Sequence, residues 1–247
     1  SGMRRSFEPK GQDRQPFQIF VDEAEFTRGD DTLLAIAFCV TQHGPQIVLE
    51  SEEVLVAAQN DPWAAGDQDV LIKRGLHFAD ATEDMRLAYV TRLVTMPFEG
   101  YVAFAKLNSP SDYEATYLRV LDSMLERRLM AAESQFAYFV IEKNNKVSED
   151  NVKAAVIAAH DRLQARNDRR SRAVGGDFAS KPDLRISAPD FLLGVLGKYL
   201  RSLPQKAGAP EPRDRLMFER LRDKYRLIFD LDARVEYSRR RPIEPWT

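Results

Sequence analysis

The sequence predicts an α/β fold in which one mixed central sheet is flanked by helices. Two strand-like segments come first, at 17–22 and 32–41, and a turn is predicted between them at 27–31. The later segments alternate between helical and strand-like patterns, the order expected when helices cover the faces of a sheet. The chain has 247 residues, 44% of them hydrophobic and 30% charged, which is enough for one full hydrophobic core.

The first strand carries the most informative local pattern. A run of β-favouring residues, F-Q-I-F-V at 17–21, changes abruptly into the acids Asp22, Glu23 and Glu25. The run has the length of a buried central strand. A carboxylate at the end of such a strand is costly unless it is solvated, paired or bound to a cation. Three crowded acids cannot pair with one another, so solvent or a metal has to accommodate their charge, and this stretch alone leaves both open.

The remaining elements follow from apolar spacing and from helix start signals. Thr82 before Glu83 and Asp84 is a typical helix start, and Pro189 stands where a helix tolerates proline best. The further predicted strands are 46–50, a short extended piece at 76–78, 101–107, 136–142, 184–187 and an edge strand at 234–237. The predicted helices are 52–60, 82–96, 111–133, 148–165, 190–203 and 212–229.

The segments outside these elements are predicted to be an arm, a loop and a linker. Residues 1–16 form a flexible N-terminal arm that begins with a tag remnant, and 17–247 form a single domain. The segment 166–176 is a basic loop ending in glycine, and 204–212, with three prolines, is a linker or surface loop.

Composition limits the class of protein. The net charge of −2 means that nucleic acid can be contacted only through a local patch. The single cysteine, Cys39, excludes an intramolecular disulfide and is expected to be a small core residue in a reducing compartment. No apolar run approaches the ~18–20 residues of a membrane-spanning helix. The polar N-terminus is not typical of a signal peptide, so a cytoplasmic protein without membrane contact is expected.

Three acids occupy comparable places in the predicted fold. Asp22 ends the first strand, Glu142 ends the strand at 136–142, and Asp190 opens the helix after the last core strand. Carboxylates that converge without a basic partner require a divalent cation, and ligation by oxygen alone suits Mg²⁺ or Mn²⁺. Such a site supports two-metal hydrolysis. The alternative, that each acid caps a strand end or a helix, remains open.

Four short motifs resemble a widespread bacterial family known as domain of unknown function 3800. They are F-V-D-E at 20–23, L-H-F at 76–78, F-V-I-E at 139–142 and A-P-D-F-L-L-G at 188–194. The resemblance covers about residues 17–237. It implies a ribonuclease H-like fold, which the hairpin-first strand order also favours, and a nuclease activity linked to mobile elements or defence against phage.

Four acids of this chain match acidic positions in the family's motifs. The resemblance implies that Asp22, Glu142 and Asp190 are catalytic and hold the metals, with Glu23 as a secondary acid. The chain departs from the pattern where Ala24-Glu25 replaces Ser-Gly and where Pro189 precedes Asp190. Glu142 stands where the family has Asp, and its extra methylene shifts a bound metal by about 1 Å, which matters for catalysis.

Basic residues are candidates for contact with DNA or RNA. Lys143 and Lys146 belong to the segment K-N-N-K, which directly follows Glu142, and they would line the rim of the site with positive charge. A basic run in the 166–176 loop and another near the C-terminus offer further contacts, although such runs are commonly just solvated. The residues of these two runs are Arg166, Arg169, Arg170, Arg172, Arg239, Arg240 and Arg241. His77 is either a proton shuttle or, as is more usual, a buried hydrogen-bonded histidine.

The sequence thus predicts a metal-dependent nuclease with a ribonuclease H-like fold. The alternative is a catalytically inactive interaction or nucleic-acid-binding module with the same fold, which would use 166–176 and 204–212 as contact surfaces. Uptake of Mn²⁺ separates the two. The sequence makes no prediction about the oligomeric state or about DNA against RNA.

Overall fold

The structure is a computed structural model that describes five ranges of the chain. These ranges are 16–61, 73–132, 136–166, 173–202 and 212–246. The predictions for the N-terminal arm through residue 15, for Arg169, Arg170 and Arg172, and for residues 204–211 of the linker lie outside the described residues. Within the five ranges, no helix is both long and apolar enough to cross a membrane.

The described residues form seven strands and six α-helices. The strands are β1 (Phe17–Arg28), β2 (Asp31–Thr41), β3 (Glu99–Lys106), β4 (Phe136–Glu142), β5 (Ala173–Ala179), β6 (Tyr225–Asp230) and β7 (Val235–Tyr237). The helices are α1 (Gly44–Gln59), α2 (Glu83–Thr95), α3 (Tyr113–Ala131), α4 (Glu149–Ala165), α5 (Ser187–Leu200) and α6 (Arg213–Leu221).

All seven strands belong to one mixed sheet with the order β5-β4-β1-β2-β3-β6-β7. β2 is antiparallel to both of its neighbours, β1 and β3, whereas β4 and β5 continue from β1 in parallel. An antiparallel hairpin at the start of the chain, extended by parallel strands on the β1 side, is the organisation of a ribonuclease H-like fold. The predicted fold class is therefore confirmed, and β1 is an interior strand.

Helices cover both faces of the sheet, and alternation along β1 supplies both cores. Phe20 packs into the core formed with α1, α2, α5 and α6, whereas Ile19 and Val21 pack into the core formed with α3 and α4. β2 is buried from Leu33 to Val40, as expected of a strand covered on both faces, and this buried run includes Cys39.

Several element predictions were correct. Thr82 caps α2 by accepting a hydrogen bond from the backbone N–H of Met85 at 3.3 Å. β7 lies at the edge of the sheet and pairs only with β6 among the described strands. These elements have strong local signals, either a cap followed by acids or a short alternating run.

Two predictions near the N-terminal half were wrong. Residues 46–50, predicted as a strand from their aliphatic run, belong to α1, because Ile47, Ser51 and Val54 are buried at helical spacing and Pro45 stands in the first turn. Residues 76–78 lie in a bend and turn and not in an extended segment.

Three predictions in the C-terminal half were also wrong. The segment 166–176, predicted as a loop, includes the start of β5. This strand pairs with β4 even though Gly175 and Gly176 lower its strand propensity. Residues 184–186 form a 3-10 turn that leads into α5, with the Asp183 side chain accepting from the N–H of Arg185 at 3.0 Å. The helix predicted to reach 229 ends at Leu221, since 225–230 pair in parallel with β3.

Candidate metal centre

Two parallel neighbours in the sheet bring three carboxylates together. Val21 of β1 is in register with Ile141 of β4, so Asp22 and Glu142 follow at the point where the pairing of these two strands ends. Oxygen atoms of Asp22, Glu23 and Glu142 all lie within 4.8 Å of one another. We refer to these three residues as the carboxylate trio. The prediction that Glu142 ends its strand is correct, but the prediction that Asp22 does so is wrong, because β1 continues to Arg28 while paired with β2.

Asp22 is the most deeply buried member of the trio, with 2% of its surface exposed. Burial, above all, raises the pKa of Asp22 well above its usual range, and a hydrogen bond to Glu142 acts in the same direction. The negative charges of Asp190, Glu142 and Glu23 raise the pKa further. Because these negative charges lie close together and Asp22 is buried, its ionised form is unfavourable without a compensating cation.

Glu23 has one oxygen engaged and one without a partner. Its Oε1 accepts from the Asn144 side-chain amide at 2.7 Å, and the same amide donates to the Tyr113 hydroxyl at 3.0 Å. Its Oε2 is buried and has no hydrogen-bond partner among the described residues. Burial and the charge of Glu142 raise the pKa of Glu23 to about 7, although the hydrogen bond from Asn144 and the charge of Lys181 oppose that rise.

Asp190 lies beside the trio without belonging to it. In the first turn of α5, its Oδ2 accepts from the backbone N–H of Phe78 at 2.6 Å and lies 3.3 Å from Nδ1 of His77. The negative charge of Asp190 raises the pKa of Asp22. The oxygen atoms of Asp190 are nevertheless not part of the group of carboxylate oxygens that lie within 4.8 Å of one another. The L-H-F and A-P-D-F motifs, 112 residues apart, therefore meet at this carboxylate.

His77 supports Asp190 from inside the protein. Only 2% of its surface is exposed, and its Nδ1 faces the Asp190 carboxylate. This arrangement fits the buried, hydrogen-bonded alternative better than a proton shuttle open to solvent.

Four of the predicted phosphate contacts that the structure describes are paired with acids, whereas the guanidinium of Arg241 lies over the Tyr237 ring. Lys143 lies 3.2 Å from Glu149, and Lys146 lies 3.1 Å from Glu25 and also 4.4 Å from the centre of the Tyr113 ring. Arg166 and Arg239 likewise contact carboxylates, those of Glu126 and Asp223. These side chains would have to leave an ion pair in order to bind a phosphate.

Three residues at the site were not identified from the sequence as parts of it. Asn144 stands in the K-N-N-K segment after β4, and Tyr113 begins α3 after a turn. Lys181 follows β5, a strand that the sequence did not predict. In the sequence, Asn144 stands out only as part of the basic segment K-N-N-K, and no regular spacing connects it with Glu23.

The donor set of the trio fits a hard divalent cation. All of its potential ligands are carboxylate oxygens, which Mg²⁺ and Mn²⁺ prefer. The unpartnered Oε2 of Glu23 is a free acceptor inside the cluster, and no basic side chain of the described residues forms an ion pair with the trio. A cation would satisfy that oxygen and compensate the negative charge of the trio.

Comparison with known proteins adds one distant structural likeness. No family model and no curated protein matches the chain. Among solved structures, it is similar to the ribonuclease H2 from Pyrococcus horikoshii OT3, with 14% identity and a TM-score of 0.36 over 83% of this chain and 87% of that one. The fold assignment rests on the order and direction of the strands, and membership of the domain of unknown function 3800 family stays a prediction based on four short motifs.

Proposed function

We propose that this protein is a metal-dependent nuclease that hydrolyses phosphodiester bonds in DNA or RNA with Mg²⁺ or Mn²⁺. The carboxylate trio would hold the metal, with Asp190 as the adjacent fourth acid. The observation that carries the proposal is the trio itself: three largely buried carboxylates within 4.8 Å, one of them with a buried oxygen that lacks a partner. A role in mobile elements or phage defence is supported only by the resemblance of the four motifs.

The energetic argument is that the trio destabilises the metal-free protein. Burying a carboxylate without a partner is costly, and the neighbouring negative charges add to that cost. The fold could avoid it with a single neutral residue at position 22 or 23. Acids retained against folding stability are a common property of active sites.

The chain's own residues would orient the acids. Asn144 holds one oxygen of Glu23 and so directs the other into the trio. The backbone N–H of Phe78 and the ring of His77 fix Oδ2 of Asp190, which leaves Oδ1 for the side of the site. A bound divalent cation would supply the Lewis acid for attack of water on the phosphodiester.

The proposal is tested with two matched Asp→Asn variants. Asp22→Asn removes a repelled carboxylate, so the metal-free protein should be as stable as the parent or more stable, while Mn²⁺ should no longer raise its Tm and cleavage should be lost. Asp230 is the control, because it is also buried at a strand end but pairs with Arg28 at 3.0 Å. Asp230→Asn should cost about 1 kcal/mol or more and keep the response to Mn²⁺.

The measurements are thermal unfolding with and without Mn²⁺ and cleavage of single- and double-stranded DNA and RNA. A parent protein whose Tm ignores Mn²⁺ and which cleaves none of these substrates would refute the proposal. The inactive interaction module would then be the better account of the fold.

A further inference from the structure

Lys181 follows the end of β5, the strand that pairs with β4 at the carboxylate trio. β5 is parallel to β4, with Ala179 in register with Glu142, so the residues after Ala179 lie next to the end of β4. The turn that follows is fixed, because the N–H of Asp183 donates to the carbonyl of Ser180 at 2.9 Å. Lys181 is exposed on this turn.

Lys181 has no ion-pair partner among the described residues, which distinguishes it from the other lysines at the rim. Across the described ranges it forms neither an ion pair nor a hydrogen bond, whereas Lys143 and Lys146 are paired with Glu149 and Glu25. Its charge nevertheless reaches the trio, since it is one of the influences that lower the pKa of Glu23. The exposed ammonium group of Lys181 can therefore bind a ligand near the acids without first breaking a contact with a described residue.

The chemistry of the site calls for such a group. The acids repel the phosphates of an approaching nucleic acid, and the repulsion is strong where the acids are buried. A lysine contributes a compact positive charge on a flexible stem, which suits contact with a phosphate oxygen whose position shifts during binding. Lys143 and Lys146 supply less attraction, because their charges are already balanced by neighbouring carboxylates.

We propose that Lys181 binds a phosphate group of the nucleic-acid substrate next to the carboxylate trio, on the β5 side of the site. The backbone of the bound strand then passes over the ends of β4 and β5. This inference rests on the proposed nuclease function and adds to it a substrate-binding residue and the direction from which the substrate approaches.

The test compares Lys181→Gln with Lys181→Arg and with the control Lys106→Gln. Steady-state cleavage of short labelled DNA and RNA oligonucleotides is measured in Mn²⁺ over a range of salt concentrations. Lys181→Gln should raise KM about tenfold, the loss of one charge-assisted hydrogen bond, with kcat within about twofold of the parent. The slope of the logarithm of kcat/KM against the logarithm of the salt concentration should decrease in magnitude by about one, the contribution of one phosphate contact. Lys181→Arg retains the charge and should stay within about threefold of the parent KM.

Two further results complete the test. Lys106→Gln should behave like the parent, since Lys106 has no place in the proposed site and its ammonium group is paired with Asp31 at 2.6 Å. The rise in Tm on addition of Mn²⁺ should persist in all three variants, because none of them removes a carboxylate of the trio.

The outcomes separate this inference from the proposed function. A parent that cleaves and is stabilised by Mn²⁺, together with a Lys181→Gln variant whose KM and salt dependence match those of the parent, overturns the role of Lys181 alone. A Lys181→Gln variant that loses its response to Mn²⁺ also overturns it, because the residue then supports the acids and not the substrate. A parent that neither responds to Mn²⁺ nor cleaves any oligonucleotide overturns both proposals.

Discussion

Replacement of Glu23 by Gln should make the metal-free protein more stable at high pH. Burial and the charge of Glu142 raise the pKa of Glu23 from its ordinary 4.5 to about 7, so the folded protein favours the protonated side chain. Gln keeps the shape and the oxygen that accepts from Asn144. Its amide nitrogen replaces the buried, unpartnered Oε2 and can donate to the neighbouring carboxylates.

The sign of the pH dependence follows from that raised pKa. A carboxyl group whose pKa is higher in the folded than in the unfolded chain contributes its full stability below about pH 4.5. That stability is lost as the pH rises through about 7. The difference between 4.5 and about 7 corresponds to a loss on the order of 3 kcal/mol. This figure is an upper bound for Glu23 alone, because the ionisation of the neighbouring Asp22 is linked to that of Glu23.

The measurement is urea unfolding of the parent and of Glu23→Gln from about pH 4.5 to about pH 8.5, in the presence of a chelator. The two proteins should have similar free energies of unfolding at the acidic end. The parent should then lose stability with rising pH, and the variant should lose less of it.

The control is Glu25→Gln, on the same strand. Glu25 is exposed and pairs with Lys146, and an exposed pair contributes about 0–1 kcal/mol. This variant should therefore follow the pH dependence of the parent. The reasoning is refuted if the stability of the parent is flat across the range, or if Glu23→Gln declines in parallel with it.

Two further predictions concern the core that supports the site. Gly194→Ala should cost about 1–3 kcal/mol in urea unfolding, because the new Cβ would lie 2.1 Å from the ring of Phe78, the residue whose N–H holds Asp190; an unchanged midpoint would contradict this packing. Ser51→Ala should cost more than Tyr89→Phe, since the Ser51 hydroxyl donates to Ile47 and so must accept from the buried Tyr89 hydroxyl, which Ser51→Ala leaves without a partner. Equal losses in the two variants would show that this hydrogen-bond direction is wrong.

The sequence predicted those parts of the fold that have strong local signals. The change from apolar to acidic residues was visible in both β1 and β4, because the buried part of each strand gives way abruptly to acids, within β1 at Asp22 and at the end of β4. β5 was missed because A-V-G-G-D-F-A has no regular alternation, and its strand conformation depends on pairing with β4. β6 was missed because buried Leu221, Tyr225 and Ile228 continue the spacing of α6, whereas pairing with β3 makes the later residues extended.

The same distinction applies to the site. Asp22 and Glu142 could be paired from the sequence, because parallel neighbouring strands end at the same edge of a sheet. The support from Asn144, and the position of Lys181, depend on turns whose conformation has no periodic signal. The contact between Asp190 and the backbone N–H of Phe78 joins segments 112 residues apart, and only tertiary packing defines it.

Alternation along β1 explains why two consecutive acids serve one site. Asp22 follows the direction of Phe20, toward the helical layer that contains α5, and it is there that Asp190 acts on it. Glu23 follows the direction of Val21, toward the layer that contains α3, where Asn144 and Tyr113 form its hydrogen-bonded support. Adjacent residues would normally diverge to opposite faces, but where the pairing of β1 with β4 ends, both carboxylates reach Glu142. Each helical layer therefore supports a different acid of the same trio, and a change in either layer should alter the affinity of the proposed site for a cation.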